Sequence, residues 1–189
     1  MSLARELDDE IRKSDGYRVI LQLELLSLNF YVFDTNYKQW KEYASSLKNT
    51  HKNFFKLWDP NNRRESNLAL SELTRLLLNF LGSATSLVAV TRNSVPIWYK
   101  DTEFADEYLA KKNQIKSDDE AMFIEGLRNY AQHDRLPFVT GQFAVNIRER
   151  NIATTFILDR DVLLQGEWKK EKGRDFLSKG VKEDRKSVV

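Results

Sequence analysis

Cysteine is absent from this 189-residue chain, which excludes a disulfide framework and any thiolate metal site. Histidine occurs only twice, at His51 and His133, so no imidazole cluster for a metal is expected either. The three prolines and seven glycines are few, and none lies between Gly16 and Pro60. No apolar run approaches the ~20 residues of a membrane span, and the start lacks a signal-peptide pattern. Secretion and membrane spanning are therefore not expected, and a cytoplasmic location is the default. There is no internal repeat, Walker A loop, G-x-G-x-x-G, H-E-x-x-H or EF-hand loop. A net charge of +2 and a pI near 8.7 permit a nucleic-acid partner without arguing for one.

What is present is a hydrophobic content of 41% with 12% aromatics, enough for one globular domain with a real core. Residues 1–16 read as a short charged helix ending at the turn signal Ser14-Asp15-Gly16. Beyond it, Val19, Leu23, Leu26, Phe30, Phe33, Tyr37, Trp40, Ala44, Leu47, His51, Phe54 and Trp58 follow an unbroken 4-3 spacing. That spacing predicts a helix over about Leu25–Trp58 whose seam packs on neighbouring helices. Tyr17–Glu24 alternates as a strand would and stays open between helix and edge strand. His51 falls on the seam and reads as a core histidine, or as a second polar group lining a cleft.

After a turn at Trp58–Asn62, a helix starting near Glu65 is apolar on more than one side, as an inner helix should be. Asn93-Ser94-Val95-Pro96 is expected to end it, and Gly82 within it to allow close approach of a neighbour. Ile97–Lys112 predicts a further helix with Trp98, Phe104, Tyr108 and Leu109 inward. Residues 138–147 and 151–158 are β-branched and aromatic, and Arg148-Glu149-Arg150 between them reads as a hairpin tip. Two strands alone are marginal. They must pack on the helices, pair with Tyr17–Glu24, or pair across a dimer. A short helix or turn follows Asp159. Glu167–Arg185 reads as a charged helical tail anchored by Trp168, Phe176 and Leu177. The expected class is mainly α, an up-and-down bundle over about 17–135, a hairpin over about 137–158 and a tail over about 159–189.

The stretch Ser117–Pro137 holds the candidate site. Ser117 and Glu120 form a capping-box pattern, and Asp118 and Asp119 suit the positive end of a helix. Phe123, Leu127 and Tyr130 make an apolar stripe, and Pro137 predicts an end between His133 and Leu136. Asn129 and His133 are i and i+4, neighbours on one face. Arg128 lies ~100° round from Asn129, with a side chain long enough to reach the same polar mouth. An imidazole can move a proton near neutral pH, a guanidinium can grip phosphate oxygens, and an amide can fix geometry. Those are the groups a phosphodiester cleavage needs. The competing reading is a histidine serving only the helix dipole, with Arg128 paired to an acid such as Glu125.

R-N-Y-A-Q-H, Arg128 to His133, resembles the R-x4-6-H motif of the HEPN superfamily (higher eukaryotes and prokaryotes nucleotide-binding), whose Arg is typically followed by a polar residue. The longer run L-R-N-Y-A-Q-H-D-R-L-P is similar to uncharacterised bacterial HEPN-like proteins carrying L-R-N-Y-x-Q-H-x-x-L-P. The resemblance extends more loosely over residues ~25–145. It implies a HEPN-like bundle and a metal-independent endoribonuclease of toxin–antitoxin or phage-defence type. The RNA's own 2′-OH would attack, leaving a 2′,3′-cyclic phosphate. It implies catalytic Arg128 and His133 with Asn129 as polar partner, Tyr130 and Gln132 in support, and neither cofactor nor metal. RNA is the implied substrate, and a homodimer pairing two motif helices and an antitoxin or regulatory protein are the implied partners. Some family members carry a modifiable Tyr two residues after the His, where this chain has Arg135. The alternative is a non-catalytic HEPN-like module that binds nucleotide, RNA or protein.

Overall fold

With no proline before Pro60, nothing interrupts the first long helix, and the computed structural model carries it from Asp15 to Lys48 (α2). The structure describes residues 3–48, 59–137, 139–146, 151–169 and 171–179. A short amphipathic helix, α1 (Leu3–Lys13), precedes α2 and is exposed throughout. Only Ser14 separates the two. Asp15 and Gly16 begin the helix instead of forming a turn, and Tyr17–Glu24 is helical. The expected seam residues His51, Phe54 and Trp58 lie outside the described residues.

A 3-10 turn at Pro60–Asn62, capped by the Asp59 carboxylate on the Asn61 amide (2.8 Å), leads into α3 (Arg63–Trp98). Helices α2 and α3 form a long antiparallel hairpin of roughly 50 Å. Its register is read from its cross-links. Gln22 donates to the buried Ser94 hydroxyl, Ser86 donates to Asn29 (2.8 Å), and Trp40 stacks on Phe80 at 5.9 Å. Phe33, Trp40 and Leu47 of the expected seam do face inward. Leu23 and Phe30 do not, because Gln22 and Asn29 occupy those layers and point at serines. A polar side chain in the interior is stable only when it is bonded, and each serine supplies that partner.

Pro96 does not end α3, which continues to Trp98. A proline two residues from the end disturbs only the last turn. By length and composition α3 could cross a bilayer, and the core helix of a soluble bundle has the same composition. Gly82 faces open space rather than a close neighbour. Gly82→Ala should therefore raise stability by about 1 kcal/mol through helix propensity alone, read as a shift in the urea midpoint. Loss of stability there would mean that something covers the site.

The next helix begins later than expected, at Glu103, where the Thr102 hydroxyl caps the Ala105 amide (3.4 Å). It runs to Ser117 as α4 (Glu103–Ser117), with Phe104 and Leu109 exposed, not inward. Because Ser117 is itself helical and bonds back to Gln114, it cannot cap the following helix. Asp118 does so instead, its carboxylate accepting the Ala121 amide at 2.8 Å, and α5 (Asp119–His133) ends within the expected window.

Strands β1 (Val139–Asn146) and β2 (Asn151–Leu158) pair antiparallel from Val139↔Leu158 to Asn146↔Asn151. The expected tip, Arg148–Arg150, lies outside the described residues. The hairpin packs on α2 and α3, with Val139 buried. Helices α6 (Arg160–Gln165) and α7 (Glu171–Lys179) close the described chain. The core joins Leu47 of α2, Leu73, Leu77 and Leu81 of α3, Leu127 and Tyr130 of α5, Val139 and Leu163. It lies at one end of the α2/α3 hairpin. The result is a mainly helical bundle with a two-stranded sheet, in which the first half of α2 has few neighbours.

Candidate functional site

Helix α5 is held on one side by apolar side chains and presents its polar side at the end. Leu127 and Tyr130 are buried in the core, and Phe123 lies 6.1 Å from the Trp168 ring and 5.1 Å from that of Phe176. Gly126 and Gly173 approach each other across α5 and α7 and make the notch that Trp168 fills. A Cβ on Gly126 would sit 2.8 Å from the indole and 3.4 Å from the Gly173 backbone. The close approach expected at Gly82 occurs here. Trp168 is fixed in turn by its indole N–H donating to the Leu163 carbonyl at 2.7 Å. The three expected tail anchors, Trp168, Phe176 and Leu177, thus clamp the motif helix.

The candidate side chains occupy the remaining arc. Arg128 is half-buried, and its Nη1 donates to the Asn129 Oδ1 at 3.0 Å. That bond draws the guanidinium toward the Asn129 side of the helix. On the helical wheel Arg128 and His133 are ~140° apart, and Asn129 falls between them. The contact runs to a neutral amide, and among the described residues no ion pair to Arg128 is formed. The Arg128 Nε is buried without a hydrogen-bond partner. His133 is exposed in the last turn, open to water, and Gln132 beside it is exposed as well.

Tyr130 does not join this arc. It is 1% exposed, its ring lies 5.4 Å from that of Trp168, and its hydroxyl is buried without a partner. It supports α5 by packing and touches nothing at the surface. Burial raises its pKa above the usual tyrosine value, helped by Asp134 and opposed by Arg135. A raised folded pKa means that Tyr130 contributes stability below the unfolded value near 10, and that this is lost as pH rises through the folded value. Tyr130→Phe should change stability by less than ~1 kcal/mol at neutral pH, because it removes an unsatisfied hydroxyl. It should also flatten the alkaline loss, which urea midpoints near pH 8 and pH 11 would report. A large neutral-pH loss would mean that the hydroxyl is bonded.

Beyond α5, Asp134 accepts the Glu167 amide (3.1 Å) and lies 3.5 Å from Arg135, tying the α6–α7 link to the helix end. Gly166 fits against Tyr130 and Asp134 with no room for a Cβ. A separate concavity of about 490 Å³ opens between α2 and α3, lined by Gln39, Glu42, Tyr43, Ser46, Glu72, Arg75 and Leu76. It contains no residue of α5. Among the described residues no group of His, Asp and Glu is arranged to hold a metal ion. No family model, no curated protein and no solved structure matches this chain.

Proposed function

We propose that the chain is a HEPN-type endoribonuclease that cleaves RNA through the 2′-OH, with the site at the end of α5. The observation that supports this most is the Arg128 guanidinium, half-buried and bonded to a neutral amide beside an exposed imidazole. A half-buried guanidinium is suited to a phosphate, since its planar fork can bond two non-bridging oxygens and pair its charge with theirs. His133 would take the proton from the 2′-OH, or return one to the leaving 5′-oxygen. Arg128 would stabilise the extra charge on the pentacoordinate phosphorus. Asn129, bonded to Arg128 and one turn from His133, would hold the two in register. Gln132, exposed beside His133, would lend a supporting amide.

The test is purified chain on mixed RNA with EDTA present, and products analysed for 2′,3′-cyclic ends. Cleavage with those ends is expected. A second reading has its own support. Arg128 and Asn129 bond to each other while His133 stands exposed at the helix end, an arrangement that could hold a phosphate without proton transfer. RNA binding without cleavage, weakened by Arg128→Ala and unchanged by His133→Ala, would establish that binding module instead.

A further inference from the structure

Helix α5 ends without the usual glycine cap. The residue after His133 is Asp134 at φ −119°, and no described glycine has a positive φ, so no left-handed glycine folds back to bond the last carbonyls. Such an end frays, and His133 stands in the turn that would open. Asp134 also puts a carboxylate at the negative end of the helix dipole, where it is unfavourable for the helix itself. Arg135 and Leu136 beyond it are exposed, and Pro137 is the next buried residue. What holds the turn comes from elsewhere in the chain.

The Asp134 carboxylate accepts the Glu167 amide N–H at 3.1 Å, across 33 residues, and its side chain is only 20% exposed. That amide is itself fixed on both sides. Gly166 before it lies against Tyr130 and Asp134 with no room for a Cβ. Trp168 after it fills the Gly126–Gly173 notch, with its indole N–H bonded to the Leu163 carbonyl. The Arg135 Nε lies 3.5 Å from the same carboxylate oxygen and offsets part of its charge. We propose that Asp134 is a positioning residue for the site: its bond to the Glu167 amide keeps the last turn of α5 closed and so holds His133 one turn beyond Asn129. What His133 does there rests on the nuclease reading, whereas how it is held rests on the Asp134 contact alone. Asp134 itself touches no substrate and moves no proton. A displacement of about 1 Å in a reacting group can cost ~10²-fold in rate, so a frayed turn is expensive.

Two substitutions break the bond from opposite sides. Asp134→Ala removes the acceptor. Glu167→Pro removes the donor and leaves both the Asp134 charge and Arg135 in place. Gly166, at φ −85° and ψ 168°, already has the extended backbone that a following proline requires. Either change should speed amide exchange at positions 133 and 134 at least ~10-fold by NMR, with Leu127 unchanged. Asp134→Asn keeps an oxygen that can accept the N–H and should stay near wild type. The double variant should match either single one, because both remove one bond. In single-turnover cleavage each single variant should slow the chemical step ~10–100-fold at unchanged RNA affinity, with asparagine again restoring it. Unchanged exchange in Asp134→Ala overturns the proposal, whether or not the chain cleaves RNA. Additive effects in the double variant overturn it too. Faster exchange with cleavage at the wild-type rate overturns the positioning role and leaves the nuclease reading standing. An inert wild type ends the nuclease reading instead, and the exchange rates then decide whether Asp134 holds the turn.

Discussion

His133→Ala should abolish RNA cleavage, a loss of ~10²–10⁴-fold in the chemical step, with the fold and RNA affinity largely kept. The side chain is exposed at the end of α5 and lies outside the core, so its removal costs little stability. Arg128→Lys should fail almost as badly. An ammonium carries the same charge but cannot reproduce the planar fork, and the bond to Asn129 would be lost with it. Asn129→Ala should lose less, because it removes an orienting group and leaves both chemical groups in place. Single-turnover cleavage with excess enzyme separates these effects from binding. Equal inertness of wild type and His133→Ala on every RNA tried would end the nuclease reading. A requirement for added divalent metal would do the same, since the scheme uses none.

The second large effect is on stability. Trp168→Ala should cost about 3–5 kcal/mol, at the upper end for a large aromatic truncation. Three losses act together. The indole contacts Phe123 and Tyr130, its N–H satisfies the Leu163 carbonyl, and its ring fills the notch between Gly126 and Gly173. Leaving the Leu163 carbonyl unbonded adds to the cost of the cavity. Trp168→Phe should recover part of the packing but not the hydrogen bond, and so fall between. Urea denaturation reads both variants. A loss under ~1 kcal/mol for Trp168→Ala would mean that α7 does not clamp the motif helix, and that the site at its end is held some other way.

Features set by neighbours in the chain were legible without coordinates. The end of α5 at His133 follows from Pro137, the continuity of α2 from the missing prolines and glycines, and the hairpin from two alternating β-branched runs. So was the proximity of Asn129 to its neighbour Arg128 and, one turn on, to His133, because helical period is a local property. The side of α2 that faces α3 was only half legible. Leu23 and Phe30 fit the apolar period as well as Phe33 and Trp40 do, yet Gln22 and Asn29 took the inner layers because Ser94 and Ser86 stand opposite. That outcome depends on a partner about 60–70 residues away, and no local pattern encodes it. Tertiary packing also made Gly126, not Gly82, the point of close approach. In each case a local preference allowed two arrangements, and burial against a distant segment, where an unbonded polar group or an extra methyl is costly, selected one.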